Sequence, residues 1–447
     1  MNPTLESLRN CFDGAIPSAI ATCSGDGMPN ISLLSQVQYV DPEHIALTYQ
    51  FFNKTRSNIL SNPYATLSIS DPHTAAIYRL NIQYLHTETS GPLFEVMRAK
   101  LAGIAAHTGM ANVFRLLGAD VYRVLDIERV PGPNLPLTIN RPRLLPALRQ
   151  SISAITACDD IDSLVDTLLT ALVEKFGIRH AIVLMHDAER KNLFTLASYG
   201  YENAGIGSEI PLGHGVIGIA GQMQVPIRVG HMINEYGYGK AVRASMQQMG
   251  LTTLLETAIP MPGIAECRSQ MAVPIKTKNR LIGVLYVESD QDCRFGYDEE
   301  DALVILSEHW AHAISQLPET IDNGAYLFNS AAPYQQKPSK PAIRVKHFRR
   351  DRSVFIDDTY VIKGLAGAIL WHLLNSFQNT GRQQFSNREL RLLPNLKLPD
   401  VSDNLETRLV LLKRRLEERR YGISLHKTGR GIFNLQVDQS LTLEEVD

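Results

Sequence analysis

Five prolines, Pro131, Pro133, Pro136, Pro142 and Pro146, fall within sixteen residues, and a stretch so punctuated sustains neither a helix nor a central strand. A second interruption runs from Pro318 to Pro341 through Asn323-Gly324, Pro333 and Pro338, with turn formers and no periodicity. A chain cut in two places folds as three bodies, 1–130, 149–317 and 342–447, with linkers at 131–148 and 318–341. Each is long enough to bury a core of its own. At 44% hydrophobic and 20% charged residues, the 447-residue chain is not mainly disordered. Its longest strongly apolar stretch, 365–374, is half the roughly 20 residues of a membrane span, so no contact with a membrane is expected. Five scattered cysteines without a Cys-x-x-Cys pair, and no secretory signal, point to the cytoplasm and exclude a disulfide scaffold.

In the first body, strands are expected at 15–24, 31–40, 44–52, 64–70, 77–87 and 121–127, and helices at 55–61 and 92–106. Ile45, Leu47, Tyr49 and Phe51 alternate with Ala46, Thr48 and Gln50, the period of a strand with two unlike faces. Many short antiparallel strands at hairpin spacing imply a small barrel. Where the third strand hands over to a helix, Asn53-Lys54-Thr55-Arg56 sets two cations and a hydroxyl at a helix N-terminus, a suitable cradle for a phosphate. Together with Gly27-Met28-Pro29-Asn30, Asn58-Ile59-Leu60 and Asn62-Pro63, this segment resembles the pyridoxamine-phosphate-oxidase-like, FMN-binding split-barrel family. The resemblance covers about 17–130. It implies an antiparallel split barrel, a homodimer, and FMN or a related flavin held at Ser32, Ser35, Asn53, Lys54, Thr55 and Arg56. The chain departs from the oxidases at Asn30, Ser32 and Ser35, where they usually carry an Arg and a Lys.

The second body opens on a helical stripe, Ile161, Leu164, Val165, Leu168, Leu169 and Leu172, and closes on another, Leu303, Leu306, Trp310 and Ile314. Between them, strands are expected at 181–186, 193–198, 270–276 and 281–288, a helix–sheet–helix arrangement. The runs Gly213-His214-Gly215-Val216-Ile217-Gly218, Ser269-Gln270-Met271-Ala272-Val273-Pro274-Ile275 and Leu281-Ile282-Gly283-Val284-Leu285 make this body resemble a GAF domain over 164–317. That resemblance implies an α/β sandwich with a small-molecule pocket under the segment 213–270. His214, His231, Tyr236, Tyr238 and Cys267 lie there, and imidazole, phenol and thiol are groups that ligate haem or iron or stack on a planar effector. No metal-ligand spacing such as His-x-x-x-His occurs among them.

The near-zero net charge of −2 hides a segregation. Residues 342–437 hold 18 Lys+Arg against 9 Asp+Glu, a balance of +9, which leaves the remainder 26 against 37, or −11. A basic tail on an acidic body points to a polyanionic partner. The tail reads as an extended start at 353–361, a helix at 365–377, a short helix after the N-cap Ser386, a long helix at 402–420 and two strands at 423–427 and 432–437. In this order it resembles a winged-helix DNA-binding domain of the response-regulator output type. The long helix carries Arg408, Lys413, Arg414, Arg415 and Arg419 beside an apolar stripe of Leu405, Leu409, Leu412 and Leu416. Lys427 and Arg430 flank the hairpin turn. These seven cations are the candidate contacts to double-stranded DNA.

No nucleophile–base constellation, Walker motif or dinucleotide fingerprint is present. The expected fold class is multidomain α+β: antiparallel split β-barrel, GAF α/β sandwich and C-terminal winged helix. The expected function is a ligand- or redox-responsive one-component transcription regulator that binds DNA as a homodimer. The alternatives are a flavin-dependent oxidoreductase regulated by its GAF domain, and a haem- or iron-binding sensor.

Overall fold

A computed structural model describes residues 3–12, 16–34, 36–50, 53–107, 116–136, 143–230, 259–278, 280–317, 342–393, 396, 405–419, 421–429 and 431–447, with side chains of 103–107 left aside. The described residues form a mixed α+β arrangement with four sheets.

The first body is built on one antiparallel sheet of seven strands in the order β2-β1-β5-β6-β7-β4-β3. The strands are β1 (Ser18–Cys23), β2 (Pro29–Leu34), β3 (Val37–Asp41), β4 (His44–Tyr49), β5 (Tyr64–Ser70), β6 (Ile77–Glu88) and β7 (Gly118–Arg129). Ile20, Ile45, Leu67, Leu80 and Ile82 point from alternate positions into its core. Helix α1 (Lys54–Ser61) starts where Asn53 accepts a hydrogen bond from the Arg56 N–H at 3.0 Å. Helix α2 (Pro92–His107) precedes β7. The single strand expected at 31–40 is instead two strands, β2 and β3, which lie at opposite edges of the sheet. Apolar alternation continues through both, so periodicity alone does not mark where the chain changes edge.

The second body holds a six-stranded sheet, β10-β9-β8-β13-β12-β11, antiparallel throughout. Its strands are β8 (His180–Asp187), β9 (Asn192–Tyr199), β10 (Glu209–Pro211), β11 (Ile227–Val229), β12 (Ser269–Thr277) and β13 (Arg280–Ser289). Helices α3 (Leu144–Thr156), α4 (Ile161–Glu174) and α6 (Tyr297–Gln316) share a core with one face, and Trp310 donates to the Leu164 carbonyl at 3.0 Å. Helix α5 (Gly215–Met223) covers part of the other, over Ile182, Leu184, Val284 and Tyr286. Helix α3 begins inside the expected linker. Pro146 sits in its first turn, where a missing N–H costs nothing. The linker at 318–341 lies outside the described residues.

The third body begins with β14 (Ile343–Phe348), β15 (Ser353–Ile356) and β16 (Thr359–Ile362). Helices α7 (Gly364–Thr380), α8 (Asn387–Leu392) and α9 (Leu405–Arg419) follow, with β17 (Gln384–Ser386) before α8. The hairpin β18 (Ile423–Gly429) and β19 (Ile432–Val437) comes next, and β20 (Leu441–Val446) returns parallel to β14. The sheets are β16-β15-β14-β20 and β17-β19-β18. Ser386 caps α8 as expected, accepting from the Glu389 N–H. Strands β14 and β20, paired with each other, extend the body beyond the expected elements.

Helix α9 is buried on more than its leucine stripe. Leu405, Leu412 and Leu416 are fully covered, Leu409 is half-buried, and Arg408 and Arg415 are covered as well. Positions 405, 408, 412 and 415 form a second stripe beside the first, because α9 packs between its own body and the second one. One continuous apolar core runs across both bodies.

Candidate functional site

The charge segregation of the sequence is resolved inside the molecule. Three aspartates project from the start of α4 toward α9 and its hairpin. Asp160 caps α4 by accepting from the Ser163 N–H at 2.8 Å, and its other oxygen takes Lys427 Nζ at 2.9 Å. Asp162 accepts from Lys413 Nζ at 2.6 Å and from Arg414 Nη2 at 2.6 Å, and Asp166 accepts from the same Arg414 nitrogen at 2.7 Å. Burial raises the pKa of Asp160 and Asp162, but the hydrogen bonds and cations outweigh it, so both lie below the usual carboxylate range. Burial likewise lowers Lys413 and Arg414, and the aspartates bring both above their ordinary values. Beside these pairs Ile161, Leu409, Val410, Leu425 and Phe433 line a half-open groove of about 80 Å³.

Two of the expected DNA contacts are corrected by their surroundings. Arg408 pairs with Asp187 at 2.9 Å and lies 4.4 Å over the Phe194 ring, with 7% of its side chain exposed. Arg415 donates to the Val361 carbonyl at 3.0 Å and to Glu418 at 2.6 Å, with 3% exposed. Both side chains are almost wholly covered, and both hold the fold together. Glu418 in turn accepts from the Gly205 N–H of the second body at 3.0 Å. Arg419 is exposed, and Arg430 lies outside the described residues.

The expected flavin cradle is also reorganised. Arg56 donates to Asp120 at 2.6 Å and to Thr87 at 2.9 Å, and stacks 4.5 Å over Tyr49. Burial lowers its pKa while Asp120 and Tyr84 raise it, with a net rise, and burial pushes Asp120 up against the pull of Thr87 and Arg56. Gly118 permits this arrangement: a Cβ there would come within 2.4 Å of the Thr87 methyl. The Thr55 and Ser32 hydroxyls bond each other at 2.6 Å, Asn53 is occupied as the cap of α1, and Lys54 is exposed. Ser35 lies outside the described residues. The adjoining cavity of about 80 Å³ is far smaller than the roughly 300 Å³ of pockets that bury a sizeable organic ligand. Arg56, Asp120, Thr55 and the buried Gln50, whose Oε1 has no hydrogen-bond partner among the described residues, line it. Within one chain the described residues leave no enclosed space for a flavin, and Arg56 is committed to Asp120 and Thr87.

In the second body His214 is exposed at the start of α5, and Cys267 is half-buried, its thiol donating to the Ser269 carbonyl at 3.4 Å. His231, Tyr236 and Tyr238 lie outside the described residues. Among the described residues no group of three or more His, Cys, Asp or Glu side chains is placed to hold a metal ion. The sequence reading missed a buried polar cluster beside Cys267. The Tyr286 hydroxyl lies 2.6 Å from Gln270 Oε1 and 3.1 Å from Glu288 and shares its one proton between them, and Glu288 also accepts from the Ile264 N–H at 2.9 Å. Burial first, and the Glu288 charge second, push the Tyr286 and Tyr201 phenols far up, so both keep their protons. Its signal in the sequence is Tyr286 and Glu288 two residues apart on an otherwise apolar strand.

Residues 158–315 match the model of the GAF domain family. They form a GAF domain. No curated protein matches the chain. Among solved structures, the GAF domain from an Acinetobacter phosphoenolpyruvate-protein phosphotransferase is 19% identical with a TM-score of 0.30, covering 38% of this chain and 92% of that one. Substrate-bound fRMsr of Staphylococcus aureus is 17% identical with a TM-score of 0.30, covering 40% and 99%. An FMN-binding protein from Syntrophomonas wolfei is 15% identical with a TM-score of 0.25, covering 29% and 86%.

The aspartates that meet α9 therefore belong to the GAF domain. In the sequence Asp160, Asp162 and Asp166 show only as an acidic helix start within an acidic body, with nothing local to name their partners. No helix among the described residues is long and apolar enough to cross a membrane.

Proposed function

We propose that this chain is an effector-responsive transcription regulator whose C-terminal body is a winged helix binding double-stranded DNA, and that the GAF domain holds the reading helix closed. One observation carries this reading: Lys413 and Arg414 of α9 and Lys427 of the hairpin are bound by Asp160, Asp162 and Asp166. Three carboxylates in a row offer these cations what three backbone phosphates would, so DNA and α4 compete for the same charges. The element order supports the winged helix, since α7, α8 and α9 lead directly into the hairpin β18–β19. The exposed Arg419 adds a cation to the same helix. An effector acts on such a device by binding the open and closed arrangements with different affinity, and about 1–3 kcal/mol of coupling changes DNA occupancy 5–150-fold.

The first body serves as the dimerisation module in this reading. Edge strand β2 exposes Ile31 and Leu33 at 74% and 75%, an apolar row beside unpaired backbone groups that suits a second copy of the chain. Two copies would present two DNA-binding heads. Retardation of a mixed-sequence duplex over a range of salt concentrations tests the function. The Lys413→Ala/Arg414→Ala/Lys427→Ala variant is expected to bind more weakly, with a log–log salt slope flatter by about two to three. An unchanged slope in the folded variant would remove α9 from the DNA interface.

A further inference from the structure

A second contact between the GAF domain and the C-terminal body surrounds an open cleft of about 240 Å³. Arg190 reaches it from the β8–β9 turn, Arg350 and Arg352 from the β14–β15 turn, and Arg408 from α9. Three carboxylates, Asp187, Glu189 and Asp351, share the lining, which leaves a formal excess of one positive charge.

The distribution of partners matters more than that count. Asp187 is engaged by Arg408 at 2.9 Å and by the Arg190 N–H at 3.2 Å, and Asp351 by the Ser353 N–H at 3.0 Å. Arg190 leans on Glu209 at 3.3 Å, a carboxylate it shares with Lys363. Arg350 and Arg352 have no carboxylate within ion-pair distance among the described residues, and Arg352 is half-buried. The first turn of α7 opens onto the same space; its Gly364 N–H is taken by the Asp351 carbonyl at 3.0 Å, and its N-cap, Lys363, supplies no side-chain acceptor for the N–H groups that follow. Gly364 begins that turn at φ +68°, and a Cβ there would come within 2.3 Å of Arg190 Nη2. The glycine therefore lets the guanidinium lie against the helix start. Two uncompensated guanidinium forks, a third against the turn and the positive end of a 17-residue helix converge on one cavity.

We propose that this cleft binds a small phosphate-bearing molecule, with the phosphate on Arg350, Arg352 and the first turn of α7 and Arg190 closing over it. Glu189, on the same rim, accepts hydrogen bonds from hydroxyl groups of the rest of the ligand. The anion bridges a GAF arginine and two arginines of the C-terminal body, so it ties the two together. The site does not depend on the chain binding DNA.

Isothermal titration of the full chain with inorganic phosphate and with glycerol 3-phosphate, at ionic strength held constant with sodium chloride, tests it. One saturable site per chain is expected for at least one of the two probes. The Arg350→Gln/Arg352→Gln variant is expected to weaken it at least tenfold, and Arg190→Gln, which serves should the double variant not fold, to weaken it severalfold. The proposal is overturned if neither probe saturates, or if affinity is unchanged in the folded arginine variants. Loss of the site in Lys54→Ala instead would assign the anion to the first body and overturn it equally.

Discussion

Arg56 in the first body and Arg414 in the last carry the same group on a helix, and both are answered by aspartate at 2.6 Å. They differ in where the aspartate comes from. Asp120 belongs to the same sheet that Arg56 packs on, and the two side chains are 12% and 7% exposed. Asp162 and Asp166 belong to another domain, and they are 26% and 64% exposed. A cation neutralised within its own body is part of the fold. One neutralised across a domain boundary, by aspartates that remain partly exposed, is released at a smaller cost than one buried within its own body.

The contrast is broken most directly by removing the buried cations. Arg56→Ala leaves Asp120 buried without its cation, and Arg415→Ala leaves Glu418 without its own and two carbonyls without a donor. Each is expected to cost on the order of 3–5 kcal/mol, read as a fall in the unfolding midpoint of its body. A loss below about 1 kcal/mol for both would mean that the two kinds of pair do not differ.

A smaller effect sharpens the comparison through pH. Asp160 and Asp162 titrate below their ordinary values when docked, so the stabilisation they give is complete above about pH 4 and is lost as pH falls through the lowered values. The closed arrangement is therefore expected to be insensitive to pH between about 5 and 8. His347, stacked on Trp371 at 4.8 Å, is sensitive to pH within that window. Burial lowers its pKa against the pull of Glu445, so the unfolded chain takes the proton first, and the C-terminal body loses stability as pH falls below about 6.5. Urea midpoints at pH 7.5 and 5.5 should show this loss in the wild type and a smaller one in His347→Gln. Equal losses would remove His347 from the account.

Much of this architecture was legible. Apolar stripes marked α4 and α6, alternation marked β4, and the Ser386 cap placed α8, because each is a local signal that packing then reinforces. What was not legible depends on partners distant in sequence. Arg415 and Arg414 are adjacent and identical, yet one faces the carbonyls of Tyr360 and Val361 and the other faces a helix about 250 residues earlier. Arg56 reads as a phosphate ligand until Asp120, 64 positions on, is brought against it. A basic run shows that charge must be answered somewhere, and only the tertiary structure shows by what.

The account rests on α4 and DNA competing for α9, and the Asp160→Asn/Asp162→Asn/Asp166→Asn variant tests that competition in the intact chain. Asparagine keeps the size of each side chain and the cap at 160, and removes only the charges. Measured by fluorescence anisotropy on one mixed-sequence duplex at low salt, the variant is predicted to bind about tenfold more tightly than wild type, from the loss of four partly exposed pairs at up to about 1 kcal/mol each. Binding unchanged or weakened in the folded variant would contradict the claim that these aspartates keep the helix closed.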